Sequence, residues 1–355
     1  MIKLKVLDTT LRDGAQTPLI KLTVQRKIEI FKQLLALNFD TIEIGFPAIS
    51  SLEKQNILDL IRLANKRNQS IQVLSRLLIE EIESNLLLLK KAWHKRLNIF
   101  VASSDIHLKY KYNWDRKELL TKLHICFKKF INQKCKFTLC FEDSTRTNIE
   151  FLIKIIHMIS DYQNIDTLSL ADTCGIATPE KYGNLFQDIK NEFKNRFILS
   201  AHPHNDLGLA TANALSAIKN GATQIEGVLT GLGERAGNLA LEEILVILKA
   251  CPSYKNIAVN THYKKLYKAC IFIRETLGIP ISPFKPLLGE KVFTHESGIH
   301  QDGMLKNKLT YQAFDPEILG RRINHPLVLG KNCSKKIFVS DQAITSIQTN
   351  SNLAN

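Results

Sequence analysis

Several features that mark secreted, membrane and nucleic-acid-binding proteins are missing from this sequence. No stretch approaches the ~20 consecutive apolar residues that a membrane-spanning helix needs. Residues Met1–Val6 have the pattern of a short strand rather than the apolar core of a signal peptide. The 7 cysteines form no CxxC pair and no regular framework, and their number is odd, so we expect free thiols. These absences favour a cytoplasmic protein with no membrane partner.

The positive charge of the chain is not gathered into one block. Lys and Arg number 48 against 34 Asp and Glu, which gives a formal net charge of +14. The lysines are scattered through amphipathic segments, and no base-reading motif is visible. We therefore predict no nucleic-acid partner. A basic surface of this kind would favour an anionic small-molecule substrate or a phosphate-bearing cofactor.

Short apolar runs alternate with longer helical patterns from the N-terminus to about residue 250. Apolar residues recur at helical spacing in 24–35, 149–159 and 210–218. Eight alternations predict an α/β fold, most simply a closed (β/α)8 TIM barrel, with an open doubly wound sheet as the alternative. The eight runs with the character of buried strands are Leu4–Asp8, Thr41–Gly45, Ile71–Leu74, Leu97–Ala102, Lys136–Glu142, Thr167–Ala171, Ile198–His202 and Gln224–Leu229.

A small C-terminal appendage is expected after the barrel. Residues 262–277 have a helical pattern, which Gly278 and the prolines after it break. We therefore place a catalytic barrel domain at residues 1–275 and a linker and subdomain at 276–355, with a frayed polar tail after Ser340.

A His-x-His pair near the end of the seventh predicted strand is the feature most typical of a metal site. His202 and His204 lie two residues apart and so point to the same side of a strand, although a pair alone fits ordinary surface or core histidines equally well. In a closed barrel, Asp13 and Asn238 would approach from the loops after strands one and eight. Helix capping by Asp13 and a turn at Asn238 are the structural alternatives. Two imidazoles, one carboxylate and one amide oxygen suit a divalent metal such as Mg²⁺, Mn²⁺ or Zn²⁺.

Other polar side chains follow the predicted strands at the same end of the barrel, where such barrels carry their active sites. Arg12 has a guanidinium that suits a carboxylate or a polarised carbonyl oxygen, with a surface ion pair as its structural alternative. Glu142 could orient an enol or transfer a proton, or could be the structural partner of an arginine. The glycines of Gly231–Gly237 lack the GxGxxG spacing and follow the last strand, which excludes an NAD site.

Four motifs, in this order, resemble those of the 2-isopropylmalate synthase and homocitrate synthase family, and the resemblance spans roughly residues 3 to 330. Members of that family are metal-dependent Claisen-condensing enzymes on TIM barrels. They join the methyl carbon of acetyl-CoA to the ketone of a 2-oxo acid and then hydrolyse the thioester. The resemblance therefore implies an acyltransferase with acetyl-CoA as co-substrate. The motifs are Leu11–Gly14, His202–Gly208, Gly233–Asn238 and His295–Gly303.

The resemblance also implies roles for single residues. The metal ligands would be the two histidines, the aspartate and the asparagine named above. Arg12 would stabilise the alkoxide that forms at the ketone, and Thr173 would hold the substrate carboxylate. His300 and Tyr311 would supply acid–base function. In this family the last segment comes from the neighbouring subunit, so the resemblance implies a homodimer.

The motifs favour 2-oxoisovalerate as the acceptor, which would give 2-isopropylmalate in leucine biosynthesis. Glu43–Pro47 and Phe100–Tyr110 look like the isopropylmalate branch of the family. The fifth strand, at Phe137–Phe141, lacks the arginine with which lysine-pathway homocitrate synthases neutralise a distal carboxylate. We expect no leucine-binding regulatory domain and therefore no inhibition by leucine.

Departures from the family pattern keep other interpretations open. Leu170–Thr178 and Gly320–Arg321 look closer to homocitrate synthases of the nitrogen-fixation type. Ala15 replaces a usual glutamate, Asn98 a usual histidine, and the stretch around Asn332 lacks a usual His-Ser-Gly. Homocitrate synthase is the first alternative, followed by a synthase that uses another 2-oxo acid, such as a citramalate synthase. A CoA-independent metal aldolase or lyase and a catalytically inactive binding protein are the remaining classes.

Overall fold

The computed structural model describes residues 1–323, 326–328 and 331, and its first compact unit, Met1–Ile279, contains a closed barrel. Each strand pairs in parallel with the next, and both β2 and β8 pair with β1, which closes the sheet. A short ninth strand, β9, pairs with the first residues of β1. The predicted TIM barrel is confirmed. The strands are β1 (Ile2–Asp8), β2 (Thr41–Glu43), β3 (Ile71–Arg76), β4 (Lys95–Ala102), β5 (Lys136–Glu142), β6 (Ile165–Asp172), β7 (Ile198–Pro203), β8 (Gln224–Gly227) and β9 (Ile257–Val259).

Helices connect the strands and cover the outside of the barrel. Six of them begin after a Thr, Ser, Asp or Asn whose side chain accepts a backbone N–H of the first turn. Within the described part, no helix is both long and apolar enough to cross a lipid bilayer. The helices of this unit are α1 (Val24–Leu37), α2 (Ser51–Lys66), α3 (Ile79–Leu89), α4 (Asp105–His107), α5 (Arg116–Phe130), α6 (Ile149–Ile159), α7 (Pro179–Phe193), α8 (Ala210–Lys219), α9 (Leu241–Ala250) and α10 (Leu266–Leu277).

Two strands end earlier than their apolar runs predict. β2 stops at Glu43, because the backbone at Gly45 turns out of the extended range with a φ of +142°. β8 stops at Gly227, because the chain then enters a 3₁₀ turn in which Thr230 has a φ of 68°. Both chains therefore leave the sheet before the polar loops that follow.

Polar side chains inside the barrel are hydrogen-bonded to one another. Gln72 Nε2 and Asn98 Nδ2 each donate to Glu43 Oε1 at 3.0 Å. The Thr138 hydroxyl donates to Gln72 Oε1 at 3.0 Å. All four side chains are buried. Asn98, although it departs from the family pattern, thus helps to hold the Glu43 carboxylate in place.

The second compact unit begins at Pro280, since α10 and its glycine cap at Gly278 still belong to the first unit. The boundary expected from the sequence, between residues 275 and 276, lies instead within the last turn of α10. The second unit contains α11 (Gly298–Lys306) and a parallel bridge between His295 and Leu327. Six cysteines in the described part are free thiols. Cys333, the departure around Asn332 and the expected tail after Ser340 lie outside the described residues.

Candidate active site

An open cavity of about 280 Å³ lies where loops leave the carboxyl ends of the barrel strands. Its wall combines residues that follow β1, β2, β6 and β8 with residues at the ends of β5 and β7. The barrel thus brings most of the predicted site residues of the first unit into one space. Those that line the cavity are Arg12, Asp13, Glu142, Thr173, His202 and His204.

β7 and the loop after β8 bring the two imidazoles and the amide together. The ring centroids of His202 and His204 are 5.4 Å apart, and an isolated antiparallel bridge pairs His204 with Asn238. Asn238 Nδ2 donates to the Leu232 carbonyl at 3.0 Å, which fixes the orientation of the amide. Its Oδ1 is buried with no hydrogen-bond partner. That oxygen is therefore available to a cation.

Asp13 reaches the histidines from the loop after β1. Asp13 Oδ2 lies 3.1 Å from His202 Nε2, and Oδ1 accepts a hydrogen bond from Arg12. Arg12 also donates to Glu43, so its guanidinium is held between two carboxylates. Because the Arg12 side chain is nearly buried and lines the cavity, it presents a fixed positive charge there.

The charges in this group depend on one another. Burial by itself would raise the pKa of Asp13, but Arg12 and His202 together hold that pKa well below its usual range. Burial lowers the pKa of His202, but Asp13 and Glu226 outweigh it and raise the pKa to about 10. Burial and the neighbouring His202 lower the pKa of His204 to about 4, so this imidazole is neutral at pH 7. Binding of a cation at His202 would be coupled to loss of its proton.

The donor set fits a divalent cation. Among the described residues, no group of three or more His, Cys, Asp or Glu side chains has the arrangement of a formed metal centre. Here Asp13 Oδ2 and His202 Nε2 contact each other at 3.1 Å. The neutral imidazole of His204 and the unpaired amide oxygen of Asn238 stand beside them, and together the four supply the ligand types that Mg²⁺, Mn²⁺ and Zn²⁺ take.

Glu142 and Thr173 form another part of the cavity wall. Both Glu142 oxygens accept hydrogen bonds from Lys111 Nζ, at 2.7 and 2.8 Å, so the basic partner of Glu142 is a lysine rather than an arginine. Lys111 lies in a π-helical turn, Leu108–Tyr112, and such turns are frequent at functional sites. The Thr173 hydroxyl accepts from the backbone N–H of Asp143 at 2.9 Å, which leaves its own proton free to donate.

The two residues expected to supply acid–base function are neighbours within the second unit. The rings of His300 and Tyr311 are stacked, with centroids 3.9 Å apart and an interplanar angle of 18°. Gly303 makes this packing possible, since a Cβ there would lie 2.6 Å from Tyr311 Cε2. The His295 ring lies 6.0 Å from the His300 ring.

Two residues of the site escaped prediction from the sequence. Lys111 stands among other lysines, so its pattern gave no signal. Glu226 lies on β8 and contacts His202 Nδ1 at 2.8 Å. A glutamate inside a short apolar strand is unusual unless it is paired, and that signal could have found Glu226.

Two family models match the chain. One, described as HMGL-like, covers residues 3–273, and the other, described as homocitrate synthase post-HMGL domain-like, covers residues 287–343. A 2-isopropylmalate synthase 1 of Caldanaerobacter subterraneus is 39% identical over 94% of this chain and 83% of its own length. The 2-isopropylmalate synthases of Acetivibrio thermocellus and Pyrococcus furiosus are 38% and 39% identical over 94% and 95% of this chain. The chain spans 65% and 67% of those two relatives.

Solved structures share the barrel. The HMG-CoA lyase of Bacillus subtilis superposes with a TM-score of 0.67 at 22% identity, over 79% of this chain and 96% of its own. The hydroxymethylglutaryl-CoA lyase of Pseudomonas aeruginosa gives a TM-score of 0.67 at 20% identity, over 78% and 94%. At this level of identity the likeness shows the fold alone.

Proposed function

Because the chain belongs to the family of 2-isopropylmalate and homocitrate synthases, we propose that it condenses acetyl-CoA with 2-oxoisovalerate, a step of leucine biosynthesis. In this reaction the acetyl methyl carbon bonds to the keto carbon, the keto oxygen becomes a hydroxyl, and water cleaves the thioester to release CoA. The observation that carries the proposal is the group of polar side chains at one end of the barrel: Arg12, Asp13, His202, His204 and Asn238.

The residues around the keto group have separate tasks. A divalent cation held by Asp13, Asn238 and the two histidines would polarise the keto oxygen and orient the 2-oxo acid. Arg12 is fixed by its two carboxylate partners, so it stabilises the negative charge that develops on the keto oxygen without having to reorganise. Thr173 donates its free hydroxyl proton to the substrate carboxylate.

Proton transfer requires further groups. Glu142, held by Lys111, orients the enol of the acetyl group or takes its proton. His300 and Tyr311 supply the acid and base, and by analogy with the family they act on the barrel of a second copy. We therefore infer a homodimer. Exposed apolar side chains in the second unit, such as Ile299 at 77% and Leu309 at 82%, support a subunit contact.

The cavity wall favours an acceptor with a short apolar arm. Leu74, Phe100, Cys140 and Ala171 line the cavity and contribute apolar surface, together with Phe46. A branched alkyl group of 2-oxoisovalerate would be buried against such a wall without loss of hydrogen bonds.

The cavity-lining cations of the described chain are already paired. Arg12 contacts two carboxylates, Lys111 contacts Glu142, and Arg235 contacts Asp206 at 2.7 Å. A distal carboxylate, as in 2-oxoglutarate, would have to take one of these cations from its partner or be buried unpaired, which is costly. 2-Oxoglutarate is therefore the second choice of acceptor.

Homocitrate synthase is the second candidate, for one specific reason. The match of residues 287–343 is to a domain described by homocitrate synthase, and Lys111 is the cation that could exchange its partner for a distal carboxylate. We also infer a cytoplasmic location, which the free thiols of the described cysteines support.

Release of free thiol from acetyl-CoA tests the proposal. The full chain, supplied with Mg²⁺ or Mn²⁺, is assayed with 2-oxoisovalerate, 2-oxoglutarate and pyruvate in parallel. We expect the highest kcat/KM with 2-oxoisovalerate, because its arm matches the apolar wall.

The other classes give different results in the same assay. A homocitrate or citramalate synthase would prefer 2-oxoglutarate or pyruvate. A CoA-independent lyase would cleave its substrate with no thiol released, and an inactive binding protein would release none with any acid. Any of these outcomes contradicts the assignment of 2-isopropylmalate synthase activity.

A further inference from the structure

Glu226 is a buried carboxylate that contacts a proposed metal ligand without being a proposed ligand itself. It is 1% exposed and lies on β8, the strand beside β7. Glu226 Oε2 is 2.8 Å from His202 Nδ1, while His202 Nε2 is 3.1 Å from Asp13 Oδ2. The imidazole is therefore held at both nitrogens, and its Nε2 edge is directed toward Asp13.

The two histidines of the pair are not equivalent. His204 Nδ1 is buried with no hydrogen-bond partner, whereas His202 Nδ1 meets a carboxylate. The second oxygen of Glu226, Oε1, is also buried without a hydrogen-bond partner. A carboxylate buried in this way costs folding stability, because a neutral side chain of the same shape would fill the space at a lower free-energy cost. Its presence here therefore points to a role in function.

Histidines that bind metal ions in proteins show which role a carboxylate at this position can have. A histidine that coordinates a cation through one nitrogen usually donates the N–H of the other to a carboxylate, which fixes the tautomer and the ring orientation. We propose that Glu226 is a positioning residue that keeps the proton of neutral His202 on Nδ1 and so presents Nε2 to a divalent cation. This inference rests on the metal site of the proposed function.

Direct titration of the full chain with Mn²⁺, followed by electron paramagnetic resonance, tests the role of Glu226. Glu226→Gln keeps the shape of the side chain and leaves a weaker hydrogen-bond acceptor, the amide oxygen, but it removes the negative charge. We expect the Kd for Mn²⁺ to rise by roughly 10–100-fold. Asp8→Asn is the matched control, because Asp8 is an equally buried carboxylate on β1 that contacts neither histidine. The control should bind Mn²⁺ as the wild type does.

A second measurement needs no variant. With ¹⁵N-labelled histidine, the nitrogen shifts of the Mg²⁺-loaded wild type report which nitrogen of His202 carries the proton. The expected tautomer has the proton on Nδ1, and a proton on Nε2 would overturn the proposal even if Glu226→Gln fails to fold.

The outcomes separate this inference from the proposed function. If Glu226→Gln binds Mn²⁺ as tightly as the wild type, the role of Glu226 is refuted while the metal site stands. If the wild type itself binds no Mn²⁺, the metal site fails and the role of Glu226 fails with it.

Discussion

Buried carboxylates in this barrel differ in charge because their neighbours differ. Contacts with His202 lower the pKa of Glu226 against the effect of its burial, and Asp13 is likewise held in its charged form. Among the described residues no cation pairs with Asp8, and burial raises its pKa to about 7 even though Thr10 donates two hydrogen bonds to it. Asp8 therefore keeps a proton in the folded state over a pH range where it would lose it in the unfolded chain.

The raised pKa of Asp8 makes folding stability depend on pH. Between its ordinary pKa of 3.8 and about 7, the folded chain binds a proton that the unfolded chain has lost, so stability falls as pH rises through this range. Relative to Asp8→Asn, the wild type should lose roughly 3 kcal/mol of unfolding free energy between pH 4 and pH 7. Urea unfolding of both proteins across this range measures the difference.

A surface substitution serves as control for that experiment. Asp59→Asn removes a partly exposed carboxylate that contacts Arg62, and its unfolding free energy relative to the wild type should not change in this way with pH. A difference between the wild type and Asp8→Asn that stays constant from pH 4 to pH 7 would show that Asp8 is ionised in the folded state.

The sequence predicts some site residues better than others for a physical reason. His202 lies on β7 and His204 lies in extended backbone one residue past its end, so the two-residue period of a strand suffices to place them together. Glu226 is brought to His202 by the register between β7 and β8, in which Ala201 pairs with Ile225. No local pattern reports that register, so the sequence can indicate that Glu226 is paired but not that its partner is His202.

At the scale of single elements, the loop after β8 is shaped by its glycines. Gly233 has a φ of +140°, and a Cβ at this position would collide with Asn238 Nδ2. Glycine is therefore required both by the backbone conformation and by the amide beside it.

Gly233→Ala should weaken metal binding while the barrel stays folded. The added methyl group forces the Asn238 side chain away from the Leu232 carbonyl, so its Oδ1 is displaced from its present position. We expect the Kd for Mn²⁺ to rise at least ~10-fold, measured by titration of the purified variant.

Gly208→Ala is the matched control. Gly208 also has a positive φ, of +72°, but a Cβ there meets nothing within 4 Å. This variant carries a milder backbone strain of about 1 kcal/mol and displaces no side chain. Equal Mn²⁺ affinities for the two variants would show that the position of Asn238 does not matter.

The strands were predictable because each is a short buried apolar run, whereas their ends depend on loop conformation. Six of the eight barrel strands extend at least as far as expected, and β2 and β8 stop short where the backbone turns. The π-helical turn that carries Lys111 has no sequence signal comparable to alternation. The sequence therefore predicts where the polar loops lie, but not which residues their side chains contact.

At the scale of the whole molecule, the proposed exchange of residues between copies can be tested by mixing two inactive variants. His202→Ala removes a proposed metal ligand, and His300→Ala removes a proposed acid–base group. If His300 acts on the barrel of a second copy, a mixed dimer has one complete site. Co-expression should then restore roughly a quarter of wild-type thiol release, since half of the dimers are mixed and each has one working site of two.

The same experiment has an unambiguous negative. If His300 acts within its own chain, every site in the mixed dimer is defective and no activity returns. A mixture of His202→Ala with Asp13→Ala is the control. Each change damages the barrel of its own chain, so a mixed dimer has no complete site.

The closed sheet also determines when the site can form during synthesis. β1 is among the first segments to be made, yet its partners β8 and β9 are the last strands of the barrel. At 5–20 residues per second, one edge of β1 stays unpaired for on the order of 10–40 s while the intervening chain is translated. Nearly the whole first unit must therefore be synthesised before Asp13 can contact His202. Binding of the proposed metal would accordingly be a late event during synthesis, and it would report that the barrel has closed.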